Sequence, residues 1–233
     1  MMNQRLLLFD IDGTLLDTGG AGGSALLDAA EEVLEVRRED LPPLDLAGAT
    51  DGAVIRKLFA DAGRPLEDNK AEAFRVSYLG HLQRRLHHED SPGKLLPGVT
   101  TLLSQLATDE RFSIGLLTGN LRHGATLKLE RFGIMSHFLD GGFGEDGEHR
   151  NLLGPVAVNR MEIASRRKFH PEQVIVIGDT PKDIACAHAM GARCLAVATG
   201  KFDRASLHPH QAWALLDDLS EVEQVKALFS RQD

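Results

Sequence analysis

Apolar residues follow two rhythms along this chain. Short, largely apolar runs occur at 5–9, 112–117, 174–177 and 193–197, with a weaker one at 213–216. Runs this short, bounded by Gly, Asp, Thr or Asn, read as buried strands. Between them lie stretches of helical period at 121–132, 153–168, 181–190 and 219–229. Gly154-Pro155 fits a helix start, while Pro181 near the first turn and Gly191 just beyond the last position frame another helix. Continuous strands alternating with helices predict a parallel sheet covered on both faces. The expected fold class is α/β, with a Rossmann-like three-layer core.

The segment between Asp17 and Pro97 follows only the helical rhythm. Residues 24–36 set Leu26, Leu27, Ala30, Val33 and Leu34 on one face. Asp51 is placed to cap a helix carrying Val54, Ile55, Leu58, Phe59 and Ala62, which Gly63 ends. Residues 67–88 repeat Phe74, Tyr78, Leu82 and Leu86 every four positions. No strand is expected here. The pattern predicts an all-α helical bundle at 17–96, inserted into a core made of 1–16 and 97–233. The glycine-rich run from Gly19 to Gly23 reads as its hinge.

Composition narrows the possible roles. The 233 residues carry a formal charge of −8, with 42% hydrophobic and 26% charged residues. An acidic surface argues against nucleic acid and anionic membrane as partners. Two cysteines, Cys186 and Cys194, sit among small apolar residues and read as buried free thiols. No run has the length of a membrane span, and the apolar stretch before Asp10 is too short for a signal peptide. A cytoplasmic monomer or homodimer is expected.

The chemistry collects where strands end. The first run ends in Asp10-Ile11-Asp12, the second in Thr118-Gly119-Asn120, and the third in Asp179, with Asp183 four residues on. Ligands of open α/β sheets bind beyond the carboxyl ends of strands. Four carboxylates converging there need a cation, and an all-oxygen ligand set points to Mg²⁺. Thr118, Gly119 and Asn120 open a helix and offer a hydroxyl and free amides to an anion. A metal beside an anion site suits a phosphoryl group. A carboxylate can attack it, and a second can move the protons.

These motifs resemble those of the haloacid dehalogenase-like hydrolases in their phosphatase form, in the phosphoglycolate phosphatase-like branch with a helical cap. Residues 10–17, DIDGTLLD, are similar to the first motif, 116–120 to the second, and 178–183, GDTPKD, to the fourth. The resemblance implies that Asp10 is nucleophile and metal ligand, and that Asp12 is the acid/base and gives its carbonyl to the metal. It implies that Thr118, Gly119 and Asn120 hold the phosphoryl group and that Asp179 and Asp183 serve the metal. The substrate would be a small phosphorylated metabolite.

The third-motif lysine is missing between Gly141 and Arg160. Arg150 is the preferred replacement and Lys182 the fallback. Arginine keeps the charge but grips phosphate differently. Lys128 is expected to face solvent, and His81, His87 and His88 to lie on a solvated helix end. Arg56 and Lys57 are set aside as cap residues within range of substrate. A phosphomutase of the same fold remains the nearest rival. A phospho-accepting receiver or a non-enzymatic binding protein is the rival from another class. Asp12 argues against a dehalogenase.

Overall fold

The computed structural model describes residues 4–88 and 92–231. Among them, six parallel strands form one sheet: β1 (Arg5–Phe9), β4 (Phe112–Leu117), β5 (Gly141–Gly142), β6 (Val174–Gly178), β7 (Arg193–Val197) and β8 (Ala214–Leu216). The strand order is β5-β4-β1-β6-β7-β8. Strand order therefore reverses direction at β1, which opens a crevice between β4 and β6 at the carboxyl edge.

Side chains alternate across the sheet as the two-residue period requires. Leu7 and Phe9 of β1, with Ile175 and Ile177 of β6, pack on α4 (Val99–Leu106), α5 (Arg122–Arg131) and α9 (Val222–Ser230). Leu6 and Leu8, with Val174 and Val176, face α6 (Arg150–Ser165) and α7 (Pro181–Ala189). These are the three layers read from the apolar runs. Both cysteines are buried and free.

A third apolar cluster joins α1 (Ala21–Leu34), α2 (Asp51–Asp61) and α3 (Asp68–Leu86). Phe59 and Phe74 meet there with ring centroids 5.7 Å apart. Leu121 and Leu127, at the start of α5 and within it, belong to the same cluster, so these helices rest on the helix that follows β4.

Local structure departs from the sequence reading in four places. The 17–97 segment does contain a strand: β3 (Lys94–Leu95) pairs antiparallel with β2 (Leu16–Asp17). Chain exit and return thus lie side by side, and two residues are too short a run for periodicity to reveal. Helix α1 begins at Ala21, so the glycine run is no free hinge. Gly20 takes φ 84° as its N-cap, and Gly22 and Gly23 lie in the first turn. Thr50, not Asp51, caps α2, accepting the Ala53 N–H at 3.2 Å. Helix α6 starts at Arg150 and carries Pro155 inside it. Pro155 cannot donate to the carbonyl four residues back. That residue, Asn151, is exposed, and water can take the orphaned carbonyl.

Candidate active site

Strand register builds the site. Phe9 stands opposite Leu116 on one side and Ile177 on the other. The residues just past these pairs, Asp10, Thr118 and Asp179, therefore reach one rim of the sheet. Backbone bonds fix two of them: Asp10 N–H donates to Ile177 O at 2.9 Å, and Thr118 N–H to Gly142 O at 3.0 Å.

Asp10, Asp179 and Asp183 each offer a carboxylate oxygen within 4.8 Å of the others, and all three are buried. Arg150, at the first turn of α6, enters this cluster. Its Nη2 lies 3.0 Å from Asp10 Oδ1 and 2.6 Å from Asp183 Oδ1, and donates to Leu117 O at 2.9 Å. Asp183 Oδ2 accepts the Thr180 hydroxyl at 2.7 Å and amide at 3.0 Å, which locks the start of α7. Thr14 Oγ1 donates to Asp179 Oδ1 at 3.3 Å. Burial, then the neighbouring carboxylates, pushes both Asp10 and Asp179 above the usual carboxylate range, with Arg150 pulling back. Burial opposes the Arg150 charge, yet Asp10 and Asp183 hold its pKa above the ordinary value.

One guanidinium among three buried carboxylates leaves negative charge in excess, which a divalent cation would offset. The ligand atoms are all hard oxygens, and Asp183 Oδ1, though beside Arg150, has no aligned hydrogen bond. The residues present therefore fit a metal ion of that kind. Arg150 Nε, equally buried, also lacks an acceptor among the described residues.

A second charged group stands beside the first. Lys128, expected to face solvent, is buried to 3% exposure. Its Nζ reaches both Asp12 oxygens at 2.8 and 2.6 Å and Asn120 Oδ1 at 2.6 Å. Asn120 Nδ2 donates to Asp12 Oδ2 at 2.7 Å and to Thr118 Oγ1 at 2.8 Å. The Thr118 oxygen also accepts the Asn120 N–H at 3.3 Å. With its lone pairs engaged, the hydroxyl is left to donate. Burying Lys128 unpaired would cost several kcal/mol, so this triple contact is a condition of its position.

The inserted helices close over this rim. Asp51 N–H donates to Gly119 O at 2.7 Å, and Asp51 Oδ2 accepts the Leu121 N–H at 2.8 Å. A Cβ on Gly119 would stand 1.9 Å from Ala49 O, so only glycine permits this approach. Thr50 Oγ1 donates to Glu148 O at 2.9 Å. Burial raises Asp51 to about 6, against the pull of Lys128 and the Leu121 amide, and Tyr78 hydrogen-bonds to it. Between the inserted helices and the sheet is a cleft of about 470 Å³ that reaches Asp10, Asp12, Thr118, Arg150 and Asp179.

The remaining candidates fall outside. Lys182 is exposed on α7 and does not line the cleft, whereas Arg150 does. Arg56 pairs with Glu148, and Lys57 with Asp61 at 2.8 Å. His81 bonds Glu32 at 2.9 Å. Three cleft-lining residues, Asp51, Tyr78 and Lys128, escaped the sequence reading in this role, as did Thr14, which holds Asp179 from outside the cleft. For Lys128 the signal was Gly124 and Ala125 one turn before it, small residues marking a covered helix face.

The model of the haloacid dehalogenase-like hydrolase family matches residues 7–197, and the chain belongs to that family. It is 26% identical over 222 residues to the probable phosphatase IndB of Dickeya dadantii, covering 93% of this chain and 91% of that one. It is 29% identical over 232 residues to a phosphoglycolate phosphatase of Synechococcus elongatus, covering 98% and 100%. With the pyrophosphatase PpaX of Oceanobacillus iheyensis it shares 23% identity over 95% of this chain and 96% of that protein. Among solved structures, a hydrolase from Pseudomonas syringae superposes with TM-score 0.70 at 20% identity, covering 95% and 97%. A Thermotoga maritima chain described as a beta-phosphoglucomutase gives 0.60 at 19% identity, covering 97% and 99%. Fold likeness thus extends to hydrolases and a mutase alike.

Proposed function

We propose that this chain is a Mg²⁺-dependent hydrolase of small phosphomonoesters that works through an aspartyl phosphate on Asp10. The observation that carries the reading is the buried trio of carboxylates, balanced among the described residues by Arg150 alone and set beside Thr118. Phosphatase names among full-length relatives support it.

Asp10, Asp179 and Asp183 would hold the cation, which supplies charge neutralisation for the entering phosphoryl group. Thr118 hydroxyl and the neighbouring amides hold phosphoryl oxygens, and Arg150 adds the fixed positive charge usually given by lysine. A carboxylate oxygen of Asp10 attacks phosphorus. Asp12, paired with Lys128 in the resting chain, takes the proton of the phosphomonoester monoanion as it binds; the ester P–O bond then breaks, and Asp12 passes that proton to the leaving oxygen. Asp12, now ionised, takes a proton from water as that water attacks the phosphorus of the acyl phosphate. Free phosphate leaves and the Asp10 carboxylate is restored. Lys128 and Asn120 fix the Asp12 side chain for both steps.

A phosphate-release screen over a metabolite panel with Mg²⁺ tests the proposal. Phosphate release by the wild type and none by Asp10→Asn is the expected result. Equal activity in that variant would sink the mechanism, and an isomerised sugar phosphate in place of free phosphate would make the chain a mutase.

A further inference from the structure

Beyond the phosphoryl site the cleft changes character. Its wall is apolar, from Leu26, Leu46 and Val54 with the ring of Tyr78, and Gly22 and Gly23 contribute no side chain. Three carboxylates face the same space: Asp51, buried at the start of α2, Asp17 at the chain exit, and Asp45.

Each cation on the cleft lining already has a carboxylate partner. Lys128 spends its three N–H bonds on Asp12 and Asn120 at 2.6 to 2.8 Å. Arg150 is held by Asp10 and Asp183, and Lys201 stands 3.0 Å from Asp45. The first turn of α1 presents backbone amides there, and helix starts favour anions. No side chain caps that turn, but the Asp17 carboxylate stands just before it, accepting the Gly19 N–H at 2.8 Å, and Asp51 sits on the first turn of α2. Each helix start thus has an acid of the chain nearby, within the first turn for α2 and just ahead of it for α1.

We infer that the leaving group of the substrate carries no negative charge: the cleft takes the phosphomonoester of a neutral or cationic alcohol with a partly apolar body. An acid on the leaving group would meet Asp51 and Asp17 with no uncommitted cation to offset them. The inference rests on the phosphatase reading above. It sets this chain apart from relatives named for phosphoglycolate and pyrophosphate, whose leaving groups are anionic.

The test is kcat/KM at neutral pH with Mg²⁺ on two sets of substrates, alongside p-nitrophenyl phosphate as a control for the chemistry. One set is propyl phosphate, glycerol 3-phosphate and phosphoethanolamine; the other is 2-phosphoglycolate, 3-phosphoglycerate and pyrophosphate. The expected result is a preference of about tenfold or more for the first set, a size set by one unfavourable charge contact. In Asp51→Asn that preference should narrow. The highest value falling on phosphoglycolate or pyrophosphate overturns the inference and leaves the phosphatase reading standing. An unchanged preference in a folded Asp51→Asn removes Asp51 as its cause and overturns that part. Release of phosphate from no substrate, the aryl control included, overturns the phosphatase reading instead.

Discussion

Two acid–cation groups share the rim of this sheet, and they are balanced differently. Around Arg150 stand three buried carboxylates, so charge is left over and a divalent cation has a reason to enter. Lys128 bonds one carboxylate, Asp12, together with the amide of Asn120, and within that pair the charges cancel. In the proposed mechanism the unbalanced group would collect metal and phosphoryl, and the balanced one would hold the proton-moving side chain in place without drawing a second metal. Asp12 is also the more open acid: its side chain is 43% exposed, that of Asp10 7%. A group that exchanges protons with substrate and water benefits from that openness.

Substitutions can break this contrast. Asp10→Asn removes the proposed nucleophile from the unbalanced group and should lower phosphate release by about 10³-fold or more, with the fold retained on circular dichroism. Chelation of divalent ions should abolish turnover. Adding Mg²⁺ back should raise the melting temperature, by about 2.7 kcal/mol of stability at a hundredfold excess over Kd, and Asp183→Asn should blunt that rise. Lys128→Met spoils the balanced group while keeping side-chain volume. It should cut kcat by about 10- to 100-fold with a smaller change in KM, and Lys128→Arg should recover part of the loss. An equal loss in KM alone would make Lys128 a substrate-binding residue.

The smallest effect concerns Asp51, which links the inserted helices to the rim. Its folded value of about 6 lies above the ordinary 3.8, so the folded chain keeps a proton that the unfolded chain has lost. Its contribution to stability is therefore full below about pH 4, declines up to about pH 6, and is level above that. The stability of Asp51→Asn relative to the wild type should rise by about 2–3 kcal/mol between those limits, read from melting temperatures. A flat difference would show that Asp51 titrates normally.

Legibility in the sequence followed the same division. Buried parallel strands are continuous apolar runs, so their ends, and with them Asp10, Thr118 and Asp179, stood out at once. Arg150 was found because a missing lysine pointed to a helix start. Lys128 was not: Gly124 and Ala125 hint at a covered helix face, but a lysine flanked by Leu127 and Leu129 does not by itself show whether it meets solvent or a distant acid. Only the docking of α1 and α3 against α5 covers it, and that is tertiary information. The β2–β3 ribbon and the start of α1 at Ala21 were hidden for a related reason. Two-residue strands have no period, and glycines signal freedom even where packing has used it up.

Trapping the acyl phosphate would test the central claim most directly. The enzyme, turning over a phosphomonoester with Mg²⁺, is quenched with borohydride, which reduces an aspartyl phosphate to homoserine, and the peptide spanning residues 5–17 is sequenced by mass spectrometry. The expected result is homoserine at position 10, dependent on substrate and metal and absent at position 12. Sustained phosphate release with both positions unmodified would contradict the account.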